Sequence, residues 1–131
     1  MTGRLEALRV AGRWIAKADE RLIALDDSLA AVVCFHAQQA VEKLLKALLV
    51  FAGVPFARTH DVIRLAQLLP GDLAPPVPVA DLAPLNRYAV EARYPIGEEP
   101  ISGEEARAAI AVSRRVRVAV LQALGRDSPA D

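Results

Sequence analysis

The chain has 131 residues, of which 53% are hydrophobic and 24% charged, and its sixteen basic residues balance sixteen acidic ones. This length and composition predict a single domain that buries a core without a disulfide or a metal ion. The formal net charge of zero excludes a protein that binds nucleic acid through an overall basic charge.

Hydrophobic residues at helical spacing predict a first helix over residues 4–25 and a second over residues 28–52. Between them, Asp26, Asp27 and Ser28 interrupt the pattern and offer N-cap oxygens to the second helix. That helix is expected to end at Gly53, with Pro55 just beyond it. Its length makes it the expected spine of a helical bundle.

The second helix divides into an apolar face and a polar face. We expect the apolar face to form the core; it includes Val33, Ala37, Val41, Leu44, Leu48, Phe51 and Ala52. We expect the opposite face to point outward, as a site or an interface; it carries His36, Gln38, Gln39, Glu42, Lys43 and Lys46.

Three more helices are predicted after the second. A short one is predicted over 60–69, with Thr59 as its N-cap and Asp61 in its first turn. Residues 70–84 contain five prolines and predict an extended loop. A fourth helix is predicted over 82–93.

Pro95 is expected to end that fourth helix, and residues 95–101 to form a second loop. A capping box from Ser102 to Glu105 predicts the last helix, over 103–124. Residues 1–125 then form one domain, and 126–131 are expected to be a disordered tail. The predicted fold class is all-α, an antiparallel up-and-down bundle of four to five helices.

Several functional classes receive no support from the sequence. The N-terminus lacks a signal peptide and no apolar run could cross a bilayer, so we expect a cytoplasmic protein without a membrane partner. The single cysteine, Cys34, excludes an internal disulfide. Cys34 and His36 diverge on a helix and cannot share a metal, and no glycine-rich phosphate loop is present, so neither metal nor cofactor is expected.

Three segments together resemble the HEPN domain family (higher eukaryotes and prokaryotes nucleotide-binding). They are His36-Ala-Gln-Gln-Ala-Val-Glu-Lys43 and onward to Leu49, Arg58-Thr-His-Asp61, and Tyr88-Ala-Val-Glu-Ala-Arg-Tyr-Pro95. The resemblance covers residues 8–124. It implies a helical bundle, usually a homodimer, with a minimal nucleotidyltransferase encoded beside it as a partner, often as a toxin–antitoxin module.

Some HEPN families are metal-independent ribonucleases that carry an arginine, then four to six residues, then a histidine. Here fourteen residues separate Arg21 from His36, and one residue separates Arg58 from His60. The chain departs from the ribonuclease motif, so the sequence favours a non-catalytic homodimer that pairs with the nucleotidyltransferase and binds nucleotide or RNA. Two alternatives stay open: a ribonuclease with a non-standard arginine and histidine site, for which His36 and His60 are weak catalytic candidates, and a purely structural dimerisation bundle.

Three groups are candidates for binding a nucleotide or a partner. His36, Gln39 and Lys43 lie along one edge of the second helix. They could bind a nucleotide or a partner, or this edge could simply be a solvated face. Arg58 and His60 precede the start of the third helix, where an anion could bind or where Thr59 and Asp61 simply cap the helix. The last group could hold a base and a phosphate, or could serve only as aromatic packing at a helix stop; it comprises Tyr88, Arg93 and Tyr94, with Arg87 beside them.

Overall fold

A computed structural model describes residues 2–23, 27–73, 77–88 and 101–125, with side chains from residues 6–16 and from residue 29 onward within these ranges. This part of the chain forms five helices and no strand, which confirms the all-α fold class. The helices are α1 (Thr2–Ile23), α2 (Asp27–Ala52), α3 (Val62–Gln67), α4 (Val79–Tyr88) and α5 (Gly103–Ala123). None of the described helices is both long and apolar enough to cross a membrane.

Helices α1 and α2 form an antiparallel pair. The Trp14 ring contacts the rings of Phe35 and His36 at centroid distances of 6.3 and 5.0 Å. Trp14 lies about as far before the connection between the helices as Phe35 and His36 lie after it, as expected when the chain folds back on itself. Helix α2 ends as predicted at Gly53, whose φ of 72° suits glycine. Hydrogen bonds from Gly53 N to Val50 O (3.1 Å) and from Val54 N to Leu49 O (3.0 Å) close this end in a Schellman motif.

The core is built around α2, which buries side chains on more than the predicted apolar face. Leu44 and Leu48 are inside as expected, but Phe51 is 42% exposed, which corrects its assignment to the core. The outward orientation of the polar face is also wrong in part, because His36, Gln38 and Glu42 are buried. The ring of Trp14 lies against His36, and His60, from the segment before α3, contacts Gln38 and Glu42.

Helix α3 is shorter than predicted, and its N-cap is Asp61 rather than Thr59. Asp61 Oδ1 accepts from the backbone N–H groups of Ile63 (3.0 Å) and Arg64 (3.1 Å). The Thr59 hydroxyl instead accepts from Asp61 N at 3.0 Å, which makes a turn one step earlier in the chain. Helical geometry therefore begins at Val62, not at residue 60.

Helix α4 begins at Val79, so residues 79–81 are helical rather than part of the predicted loop, and residues 82–84, which the predicted loop and the predicted helix shared, are helical. It contains Pro84, which has no backbone N–H to continue the helical hydrogen-bond pattern. Leu82, Leu85 and Tyr88 are buried. The rest of the predicted fourth helix (89–93), its stop at Pro95 and the tail 126–131 lie outside the described residues.

Helix α5 starts where the capping box predicts, because Ser102 Oγ accepts from Glu105 N at 3.1 Å. It runs antiparallel to α4: Tyr88 Oη donates to Glu105 Oε2 (3.0 Å), while Arg115 Nη1 donates to Asp81 Oδ2 (3.1 Å) further along. Its buried residues include Ala106, Ala109, Ile110, Ser113, Val116 and Val120, and Leu124 just beyond its end is partly buried.

Candidate binding site around a buried carboxylate

A fully buried carboxylate, Glu42, lies at the centre of a polar cluster. Its Oε1 is 2.7 Å from His60 Nδ1 and accepts from Gln38 Nε2 at 3.3 Å. Its Oε2 accepts from Lys46 Nζ at 3.1 Å and lies 3.5 Å from Lys43 Nζ. A buried charge requires partners of this kind because desolvation without them is costly.

Two residues of α2, one turn apart, hold the turn that precedes α3. Glu42 binds the His60 ring, and Gln38 Nε2 donates to the His60 carbonyl oxygen at 3.1 Å. Gln39 Nε2 donates to Gln38 Oε1 at 2.8 Å, which orients the Gln38 amide. The spacing of Gln38, Glu42 and Lys46 at successive i, i+4 positions places all three on one side of α2. His60 is therefore fixed through both its backbone and its ring.

The charge on Glu42 determines the protonation of His60 Nδ1. Burial raises the pKa of Glu42, but hydrogen bonds from His60 and Lys46 outweigh it, so the pKa lies below its ordinary value of 4.5. The ionised carboxylate only accepts hydrogen bonds, so His60 Nδ1 must donate. When the imidazole is neutral, the lone pair is then on Nε2, and the side chain is 66% exposed.

This arrangement produces a cationic rim around a buried negative charge. The Lys43 and Lys46 side chains are 34% and 21% exposed, and Arg58 is exposed two residues before His60. We call Lys43, Lys46 and Arg58 the cationic rim. Such a group can bind an anion, and a carboxylate-held imidazole can also accept a proton through Nε2.

The structure brings together Gln39, Lys43 and His60 of the predicted binding residues, with Arg58 in the same segment. His36 belongs to a different environment. It is 8% exposed, and its ring lies 5.0 Å from that of Trp14 and 6.2 Å from that of Phe35. The two candidate histidines are thus held by different sets of partners.

The sequence predicted that an anion could bind at the start of the third helix, but the backbone N–H groups there already donate to other residues. The N–H groups of Ile63 and Arg64 already bind Asp61, and Val62 N donates to Asn86 Oδ1 at 2.9 Å. Asn86 Nδ2 in turn donates to Asp61 Oδ1 at 2.8 Å. Capping, the simpler interpretation, therefore accounts for this helix start.

Tyr88 is a packing residue rather than an open stacking platform. Its side chain is 3% exposed, and Glu105 Oε2 accepts from both Tyr88 Oη (3.0 Å) and Arg87 Nη1 (3.2 Å). Burial raises the pKa of Tyr88 and also raises that of the neighbouring thiol of Cys34 to about 12. Arg93 and Tyr94, predicted to act with Tyr88, lie outside the described residues.

The sequence did not single out Glu42 and Gln38 as the centre of the site. Their spacing with Lys46 was the available signal, because a carboxylate beside a lysine and a glutamine on one helix side can organise a third group. The described residues contain no cluster of three or more His, Cys, Asp or Glu side chains able to hold a metal ion.

Comparison with known proteins gives a consistent result. The family model for the HEPN domain matches residues 11–124. The crystal structure of TT1696 from Thermus thermophilus is 28% identical, with a TM-score of 0.80 over 93% of this chain and 98% of that one. The crystal structure of ST0689, an archaeal HEPN homologue, is 23% identical, with a TM-score of 0.72 over 92% and 97%, and supports the fold alone. No curated protein matches the chain.

Proposed function

Because this chain belongs to the HEPN domain family, we propose that it is a non-catalytic binding and interaction module. Residues 1–125 act as one domain that forms a homodimer in the cytoplasm. The dimer pairs with a minimal nucleotidyltransferase, in a module of the toxin–antitoxin type. Its cationic rim binds the phosphate groups of a nucleotide or of RNA.

The observation that carries the binding role is the buried Glu42 carboxylate with cations arranged around it. Lys43, Lys46 and Arg58 carry three positive charges against the two negative charges of Glu42 and Asp61, so the cluster carries a net positive charge. His60 is held through Nδ1 at 2.7 Å from that carboxylate, and its side chain is 66% exposed. Fixed donors on a partly exposed surface suit a phosphate, which accepts several charged hydrogen bonds at once.

Calorimetry with ATP, GTP and a short RNA tests this binding role. We expect binding by the wild type and weakening by about 10- to 150-fold in Lys43→Ala and Arg58→Ala, the effect of losing one charged hydrogen bond. Arg107→Ala is the matched control, because Arg107 is exposed on α5. The absence of heat with all three ligands would overturn the binding role.

The partner and the homodimer need separate tests. Co-expression with the product of the adjacent reading frame should give a complex if that product carries a Gly-Ser and paired-Asp nucleotidyltransferase signature. A strictly monomeric mass at micromolar concentration would overturn the homodimer. Failure of co-purification with a folded nucleotidyltransferase would overturn the pairing and would leave phosphate binding intact.

A ribonuclease is the second candidate, and the Glu42–His60 geometry is the observation that favours it. A neutral imidazole whose Nδ1–H is held by a carboxylate can act as a general base through Nε2. Cleavage of RNA in the presence of EDTA that is lost in His60→Ala would favour this candidate. Equal cleavage by His60→Ala and wild type would exclude His60 as its base. The purely structural bundle would be favoured by a stable dimer that binds no ligand.

A further inference from the structure

The His60 side chain is held by one ring nitrogen and leaves the other open. Nδ1 lies 2.7 Å from Glu42 Oε1, and Gln38 Nε2 donates to the His60 carbonyl oxygen at 3.1 Å. Nε2 lies on the opposite side of the ring, and none of the described residues forms a hydrogen bond with it. Because the side chain is 66% exposed, Nε2 is the ring nitrogen that a reagent in solution can reach.

A carboxylate in this position prepares the imidazole to act as a nucleophile. The ionised Glu42 carboxylate accepts from Nδ1–H, so the lone pair of the neutral His60 ring is on Nε2. When Nε2 forms a bond to an electrophile, positive charge develops on the ring, and the carboxylate 2.7 Å away stabilises that charge. Glu42 is fully buried, so water screens this attraction less than it would between two exposed groups. His60 therefore has the orientation and the charge partner that suit a histidine nucleophile.

The surrounding charges favour a phosphoryl group as the electrophile. Lys46 Nζ donates to Glu42 Oε2 at 3.1 Å, and Lys43 Nζ lies 3.5 Å from the same oxygen, so both cations share this carboxylate with His60. Arg58 is exposed two residues before His60. Phosphoryl transfer depends almost entirely on positioning and on the stabilisation of negative charge at the phosphoryl oxygens. A neutral acyl group would gain less from these three cations than a phosphoryl group.

We propose that His60 is a phosphoryl-acceptor site, which takes a phosphoryl group onto Nε2 from a small activated phosphate, of which phosphoramidate is the simplest. The Nε2 lone pair forms a new N–P bond while the P–N bond of the donor breaks. The nitrogen of the donor is already protonated, so the electron pair of the broken bond leaves with it as neutral ammonia. The ring keeps its Nδ1 proton and becomes a phosphorylated imidazolium, whose positive charge is paired with Glu42.

Reaction of the wild type with phosphoramidate gives the first test. The chain has two histidines, and His36 is an internal control because it is 8% exposed and its ring lies against that of Trp14. In the native protein we expect one phosphoryl group, on Nε2 of His60, identified by tandem mass spectrometry and phosphorus NMR. The same chain unfolded in urea is the reference, in which both histidines should react on either ring nitrogen. The native rate at His60 should exceed the unfolded rate by about tenfold or more.

Substitution of Glu42 gives the second test. Glu42→Gln keeps a carbonyl oxygen that accepts from Nδ1–H but removes the negative charge, so the product should stay on Nε2 while the rate falls about tenfold. Glu42→Ala frees Nδ1, so both ring nitrogens of His60 should react, a change that a loss of stability alone would not produce. Glu6→Gln is the matched control and should react at the wild-type rate, because Glu6 is exposed on α1. Circular dichroism of each variant confirms that it is folded.

The wild type alone can overturn this inference, even if the Glu42 variants do not fold. Equal rates at His60 in the native and unfolded chain, product on Nδ1 of the native protein, or no reaction at all would each do so. An unchanged rate in folded Glu42→Gln would also overturn it. None of these measurements uses a nucleotide, so a failure to bind ATP, GTP or RNA would overturn the proposed binding role and leave the phosphoryl-acceptor site standing.

Discussion

Replacement of Glu42 by glutamine removes the negative charge to which His60, Lys46 and Gln38 donate hydrogen bonds. The glutamine is close in size, so its carbonyl oxygen can still accept from His60. Its NH₂ group, however, meets Lys46 Nζ as a second donor. The substitution therefore tests the charge of the site with little change in packing.

The expected cost follows from the bonds that change. A hydrogen bond to a charged group contributes about 1.5–3 kcal/mol and a neutral one about 0.5–1.5 kcal/mol. The His60 bond becomes weaker, and the Lys46 bond is lost, although Lys46 is 21% exposed and regains water. We expect Glu42→Gln to lower the free energy of unfolding by about 2 kcal/mol, measured by urea denaturation at neutral pH.

The pH dependence gives the sharper part of this prediction. The pKa of Glu42 is lowered in the folded state, so between the folded value and the unfolded value of 4.5 the unfolded chain binds more protons. The stabilisation by Glu42 is thus complete above pH 4.5 and is lost as the pH falls through the folded pKa. The difference in unfolding free energy between wild type and Glu42→Gln should shrink over that acidic range.

A control and two results decide whether this reasoning holds. Glu6→Gln should change the unfolding free energy by less than about 0.5 kcal/mol, because the Glu6 side chain is 53% exposed in a surface pair with Arg9. A Glu42→Gln effect as small as that of the control would refute the account of the cluster. A difference that grows on acidification would refute the sign of the pKa shift.

Three further predictions concern other parts of the chain. Asp61→Ala should lower the unfolding free energy by about 1–2 kcal/mol, measured with urea, because it removes the N-cap of α3 and the bond to Asn86; no measurable change would contradict this capping role. Cys34 should resist alkylation at pH 8 in the native protein and react on unfolding, measured by mass spectrometry, because it is fully buried and its pKa is raised to about 12; rapid native labelling would be inconsistent with that burial. Leu48→Ala should cost about 2–5 kcal/mol in a thermal melt, whereas Val50→Ala, at a 52% exposed position, should cost less than about 1 kcal/mol; equal effects would refute the orientation of α2.

The sequence predicted those features that local chemistry determines. The end of α2 at Gly53 was predictable because glycine accepts the positive φ that a Schellman motif requires. The start of α5 was predictable because Ser102 and Glu105 form a recognised capping pattern. The start of α3 was not, because Thr59 and Asp61 can both cap a helix and only the observed turn shows which of them does.

The site depended on contacts between residues far apart in the chain. Helical periodicity placed Gln38 and Glu42 on the polar side of α2 and gave no sign that another segment would cover them. Both contact His60, whose ring lies eighteen positions beyond Glu42 and whose carbonyl binds Gln38. The start of α4 was missed for a local reason. The prolines of residues 70–84 predict a loop, but α4 accommodates Pro84 in its interior.

Pro84 also makes α4, as an isolated helix, less stable than its length suggests. Pro84 has no amide N–H to donate to the carbonyl oxygen of Ala80, so this ten-residue helix lacks one backbone hydrogen bond near its middle. Its persistence therefore depends on the burial of Leu82, Leu85 and Tyr88 against the neighbouring helices. In native-state hydrogen exchange, the amides of α4 should open at a lower free energy than those in the middle of α2.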